Sequence, residues 1–171
     1  MQHVLFVTKG MIMTTQLKHK VPTDYSQTVF YKIHQLSIYI QFLGKKIFEI
    51  RKVNITPDEF AAMNFIINNP RICQRDLAKL MLRDRVRTGR IISTLEEKGY
   101  VERVNDTKNN RLVRRLSITT SGKKLYNEQF SILSQVFENI LEKFSEEKMV
   151  ELTENLNELK SALAEVIEFN I

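Results

Sequence analysis

Four consecutive residues, Thr56-Pro57-Asp58-Glu59, fix the start of a helix more firmly than any other feature of this chain. Thr supplies a side-chain acceptor for the N-cap, and Pro suits the first helical position, where its missing N–H would have no partner anyway. Glu three residues after the cap can bond back to the cap N–H, completing a capping box. Phe60, Met63, Ile66 and Ile67 give this helix an apolar face, and Pro70 requires it to end earlier. Residues 74–82 then read as a short helix with Leu77, Ala78 and Leu80 inward. Asp84 caps a further helix that runs to Lys98 and stops at Gly99. Residues 100–104 read as a strand and 112–118 as its return strand. Asn105, Asp106, Asn109 and Asn110 mark residues 105–110 as the turn between them.

The flanks are longer and less punctuated. Only 5 Gly and 3 Pro occur in 171 residues, which favours helices over a loop-rich or all-β chain. Val29, Ile33, Leu36, Ile40, Leu43 and Ile47 recur at steps of 4 and 3, one stripe of a long helix. After the hairpin, Leu133, Phe137, Ile140 and Phe144 form a second stripe. Leu152, Leu156, Leu159, Leu163 and Val166 form a third, with Ser145 as the cap between the two helices. Residues 1–23 carry only a four-residue apolar run and no cleavage pattern, so a disordered or mis-assigned start is expected, with Met11 and Met13 as alternative first residues. The expected organisation is a helix over 24–55, a core over 56–122 and terminal helices over 123–171.

Charge is unevenly spread along this plan. Residues 71–124 hold 15 Lys and Arg against 6 Asp and Glu, whereas residues 125–171 hold 3 against 10. A basic middle beside an acidic tail reads as a polyanion-binding face attached to something else. Three short helices followed by a hairpin, all around this basic segment, is the winged helix-turn-helix order. In the 84–98 helix Thr88, Ile91, Ile92 and Leu95 share the face expected to pack inward. Arg85, Val86, Arg87, Gly89, Arg90, Ser93 and Thr94 are left as the candidate DNA-reading set. Arg on such a face can bind guanine O6 and N7 bidentately in a major groove. In the hairpin Lys108, Asn109, Arg111, Arg114 and Arg115 form a candidate wing, its long cations able to reach phosphates or a narrow minor groove.

The run Leu77-Ala78-Lys79-Leu80, continued by Thr94-Leu95-Glu96-Glu97-Lys98-Gly99-Tyr100-Val101-Glu102-Arg103, resembles the core of the MarR/SlyA family of regulators. Ile118-Thr119-Thr120-Ser121-Gly122 resembles that family's Leu-Thr-x-x-Gly step into the next helix. The resemblance covers about residues 25–168. It implies a mostly α fold with a small β-hairpin wing, a core flanked by dimerisation helices, and double-stranded DNA as partner. The implied function is a homodimeric regulator, a repressor, on a pseudo-palindromic site. Val29, Ile33, Leu36, Ile40, Leu152, Leu156, Leu159 and Leu163 fall in the implied dimer interface. Tyr31, His34, Tyr39, Phe42 and Phe65 would line the crevice for a small aromatic effector. Asn109-Asn110-Arg111 stands where the family wing carries Asp-x-Arg, and one extra residue separates it from Ile118-Thr119, which leaves the wing register open. Gly89 replaces a common small polar residue, and either close approach to the duplex or neutral drift accounts for it.

The single cysteine excludes an internal disulfide and fits a reducing compartment. Cys73 falls where the family has a capping Ser or Thr, so it is read both as a redox candidate and as a small buried filler. His3, His19 and His34 are scattered without metal-ligand spacing. Ser121-Gly122-Lys123 lacks the upstream Gly of a phosphate loop, so no catalytic group, cofactor or metal is expected. No apolar stretch approaches the ~20 residues of a membrane span, and the cytoplasm is the expected compartment. Two other functions fit the same pattern: an interaction module that has lost DNA binding, and a sequence-tolerant DNA-coating protein.

Overall fold

A computed structural model describes residues 3–8, 11–16, 22–108 and 111–167. The chain splits into two compact units at Phe42/Leu43 and at Lys143/Phe144. The unit formed by residues 43–143 takes in the end of helix α1 (Val29–Ile50) and helices α2 (Pro57–Asn68), α3 (Gln74–Met81) and α4 (Arg85–Glu97). Strands β3 (Val101–Lys108) and β4 (Arg111–Ile118) and helix α5 (Thr120–Leu141) complete it.

The capping box closes as its residues require. The Thr56 hydroxyl accepts from the Glu59 N–H at 3.2 Å, and the Glu59 carboxylate accepts from the Thr56 N–H at 2.7 Å. Glu59 is buried, and its second task explains why that is tolerable: Lys98 Nζ donates to both its oxygens at 2.9 and 3.0 Å. A buried carboxylate without such a partner would cost several kcal/mol. Lys98 caps the far end of α4, so the first turn of α2 is tied to the end of α4. Beneath them Met63 of α2, Leu77 of α3, Ile92 and Leu95 of α4 and Leu116 of β4 meet in one fully buried cluster. Each such side chain contributes roughly 1.5–3 kcal/mol of burial. A second cluster joins Phe48 of α1, Ile55 and Leu133 of α5, with Phe60 and Phe137 against it. This unit therefore reaches beyond the 56–122 span expected from the sequence.

Turn chemistry shapes the joints. Leu82 ends α3 in the left-handed region, and Asp84 caps α4 by accepting from the Arg87 N–H at 2.8 Å. Gly99 ends that helix with φ +71, a conformation that suits glycine. Thr119 caps α5, accepting from the Gly122 N–H at 3.0 Å while its own hydroxyl donates to the Gly99 carbonyl at 2.7 Å. Gly122 lies so close under Tyr100 that an added Cβ would fall 2.9 Å from the Tyr100 carbonyl carbon and closer still to its oxygen. The glycine of the Ile118–Gly122 motif is thus a packing requirement, and not a flexible joint.

Three expectations need correction. Leu80 is 44% exposed and not inward. At about 100° per residue, Leu77, Ala78 and Met81 share one arc of α3 and Leu80 falls about 60° beyond its edge. Residues 105–108 are strand and not turn, with the register running from Val101↔Ile118 to Lys108↔Arg111. Asp106 explains much of this, since its carboxylate is taken by cross-strand and tertiary arginines as well as by the adjacent Thr107 N–H. Near the N-terminus, where disorder was one of the expectations, β1 (His3–Thr8) and β2 (Met11–Gln16) pair antiparallel from His3↔Gln16 to Thr8↔Met11. Val4, Phe6, Val7, Ile12, Thr14 and Thr15 are branched or aromatic residues suited to a pleated strand.

The other unit holds β1, β2, the N-terminal part of α1 and α6 (Glu146–Val166). Ser145 caps α6, and Glu146 and Glu147 sit in its first turn, where the helix dipole favours negative charge. No residue of α6 is buried. Among the described residues no helix is long and apolar enough to cross a membrane.

Candidate nucleic-acid interface

Helix α4 presents two faces with opposite tasks. Thr88, Ile92 and Leu95 are fully buried against α2 and α3, and the Thr88 hydroxyl is satisfied by donating to the Asp84 carbonyl at 2.9 Å. Ile91 is half-buried against the same core. Outward stand Arg85, Val86 and Arg90, all exposed, Val86 at 66%. Ser93 and Thr94 are partly covered, and the Thr94 hydroxyl donates back to the Arg90 carbonyl at 3.0 Å.

The arginines divide into those the fold holds and those it leaves free. Asp58, in the first turn of α2, receives Arg87 at 2.8 Å and Arg83 at 3.5 Å. Asp106 of β3 receives Arg71 at 2.6 Å and Arg115 of β4 at 3.2 Å. Arg75 is paired with Asp76 and Arg103 with Glu96. Arg85, Arg90 and Arg114 have no ion pair among the described residues. Arg87, from the candidate reading set, and Arg115, from the candidate wing, are thus held as braces. The sequence reading passed over Asp58, Arg83, Arg71 and Asp106. Asp58 was visible as part of a capping motif and Asp106 as a turn residue, but neither pattern signals a distant arginine.

Gly89 is resolved by its neighbour. A Cβ there would meet Gln74 Nε2 at 3.0 Å, and that amide donates to the Arg85 carbonyl at 3.1 Å. The close approach is therefore between α3 and α4. In the hairpin, Lys108 and Arg111 face each other in register, Arg114 is exposed, and Asn109 lies outside the described residues. Cys73 occupies the N-cap of α3, partly exposed and making no side-chain cap bond. Its thiol donates to Asp76 at 3.0 Å, and that bond is the main reason the Asp76 carboxyl sits below its usual range. The N–H of Arg87 does the same for Asp84. Partial burial pushes Asp106 up, but bonds from Arg115, the Thr107 N–H and Arg71 outweigh it and hold the carboxyl low.

The remaining candidates, Phe65 apart, lie on α1 and α6. Val29, Leu36 and Ile40 of α1 and Leu152, Leu156 and Leu163 of α6 are exposed, whereas Ile33 and Leu159 are half-covered. Tyr31, His34, Tyr39 and Phe42 are on α1, Tyr39 at 72% exposure, and Phe65 of α2 packs against the core of the other unit.

Three packed helices, the third with a basic outer face, followed by an antiparallel hairpin, define a winged helix-turn-helix protein. The MarR family model matches residues 55–113. Over 103 residues the chain is 30% identical to the HTH-type transcriptional regulator BilQ of Clostridioides difficile (strain CD3), covering 60% of this chain and 69% of that relative. It is 31% identical over 78 residues to the uncharacterized HTH-type transcriptional regulator YybA of Bacillus subtilis (strain 168). That match covers 46% of this chain and about half, 51%, of the relative's length. Its fold is similar to that of MepR in a crystal structure of the S. aureus MepR–DNA complex, with a TM-score of 0.69 at 22% identity over 82% of this chain and 99% of that one. The chain belongs to the MarR family.

Proposed function

We propose that this protein is a double-stranded DNA-binding transcriptional repressor that acts as a homodimer on a pseudo-palindromic site. The observation that carries the reading is the outer face of α4. Its free arginines Arg85 and Arg90 stand beside exposed Val86, while the inner face is spent on the core. Arg90 reads a guanine, Val86 meets a thymine methyl, and Arg114 of the wing engages phosphate. Both the MepR–DNA complex among the structural neighbours and the regulators among the relatives support it.

Support for the dimer comes from the exposed apolar stripes of α1 and α6, since stripes of this length left in water mark an association surface. Two-fold symmetry would set two α4 helices about one duplex turn apart, so a change of spacing would release a half-site. A small aromatic effector acting on that spacing, through Tyr31, His34, Tyr39 and Phe42, completes the reading. Phe65 is already committed to the core.

The test is a titration against duplex from the protein's own upstream region and against random duplex, at two salt concentrations, with mass measured by light scattering. Tight, salt-sensitive preference for the upstream duplex by a dimer is expected. Equal affinity for both duplexes would mean a coating protein, and absence of binding at any salt would mean an interaction module.

A further inference from the structure

Asp106 of β3 meets two arginines, one from the hairpin and one from outside it. Arg115 is its diagonal neighbour across the β3–β4 ladder, because Asp106 lies opposite Val113, two residues away on β4. Arg71 reaches it from the connection between α2 and α3. That connection is itself fastened to the hairpin: the Ile72 carbonyl accepts from the Leu116 N–H at 2.9 Å, and Ile72 is buried. Arg71 holds φ 64, a left-handed conformation that residues with a side chain seldom adopt. The three charged groups line a depression of about 310 Å³ with Val104, Leu116 and Ser117, partway along the hairpin and away from its tip.

We infer that Asp106 is a specificity-setting residue that withholds Arg71 and Arg115 from the phosphate backbone. The inference rests on the DNA-binding reading above. Phosphate contacts add affinity without reading sequence, so each cation left loose beside a groove strengthens binding to every duplex equally. Arg71 is largely exposed and would be available for such a contact. With both guanidiniums held on one carboxylate, the sequence-blind contribution is kept down and Arg85 and Arg90 decide the site.

Duplex binding by fluorescence anisotropy, over a range of salt concentrations, tests this with D106N and with E102Q. Glu102 is exposed on the same strand, so E102Q makes the same change of net charge without touching the three groups. Each freed arginine that finds a phosphate steepens the log-affinity against log-salt slope by about 0.9. D106N is expected to steepen the slope on random duplex by about 1–2 and to narrow the ratio of specific to random affinity, whereas E102Q moves neither. Adding R71Q and R115Q to D106N should return the slope to the wild-type value. D106N matching E102Q, or a steepened slope that survives loss of both arginines, would overturn the inference. R71Q alone provides a second measurement on a variant of an exposed residue: an unchanged slope is expected, and a fall of about 1 would show Arg71 already on phosphate. Wild-type protein that binds no duplex would instead refute the DNA-binding reading itself.

Discussion

Replacing Gly122 by Ala separates packing from helix propensity, because the two give opposite signs. Alanine in a helix is favoured over glycine by up to ~1 kcal/mol. At Gly122 the new Cβ would run into the backbone carbonyl of Tyr100, which accepts from the Thr119 N–H at 3.0 Å and so cannot retreat without giving up that bond. Overpacking against backbone costs roughly 1–3 kcal/mol, and the strained hydrogen bond about another 0.5–1.5. Net destabilisation of about 2 kcal/mol follows, or roughly 4–8 °C in Tm for a chain of this size. Urea unfolding at fixed protein concentration measures it. Gly89→Ala is the matched control, since its Cβ would meet only the flexible end of Gln74. Losing the Gln74 bond and gaining propensity should nearly cancel, within about 0.5 kcal/mol. If Gly122→Ala proved as stable as wild type, the close approach of α5 to Tyr100 would be wrong.

Lys98→Met should cost about 2–4 kcal/mol by leaving the Glu59 carboxylate buried and unpaired, and adding Glu59→Gln should recover at least half of it; a double variant as weak as the single would contradict the pairing. The carboxyls of Asp76, Asp84 and Asp106 are all held below 3.8 in the fold, so their contribution is present above that value and lost as pH falls below it. Asn is an equally good cap, so Asp84→Asn should keep stability at pH 7 and lose less of it than wild type on going to pH 3, as read by thermal melts; an identical acid limb would remove Asp84 from the account. Arg90→Ala should cost roughly 1–3 kcal/mol of operator affinity and relax selectivity at one base position, whereas Arg114→Ala should weaken all duplexes alike and flatten the salt slope by about 0.9. Exchange of these two phenotypes in a binding-selection experiment would reverse the assigned roles.

What the sequence disclosed and what it hid follow from range. The capping box at Thr56, the cap at Asp84 and the stop at Gly99 act within four residues, and each stands where its local chemistry puts it. The inward face of α4 was legible because burial imposes helical periodicity on Thr88, Ile92 and Leu95. Leu80 misled because α3 is only two turns long, too short for periodicity to choose between neighbouring faces. Asp106 looked like a turn former because Asp bonds readily to nearby backbone; two arginines, one of them 35 residues earlier, took the carboxylate into a strand. The same blindness to distance hid Asp58, whose arginines are 25 and 29 residues away.

The two adjacent acids of α2 hold α4 near both its ends, Asp58 through Arg87 in its first turn and Glu59 through Lys98 at its cap. Neither anchor uses the outward residues Arg85, Val86 and Arg90. The aim of the helix and its outer chemistry are therefore written in different positions. A lineage of this fold can exchange those three side chains, and so drift toward a new target, while the mount that points them stays as it was.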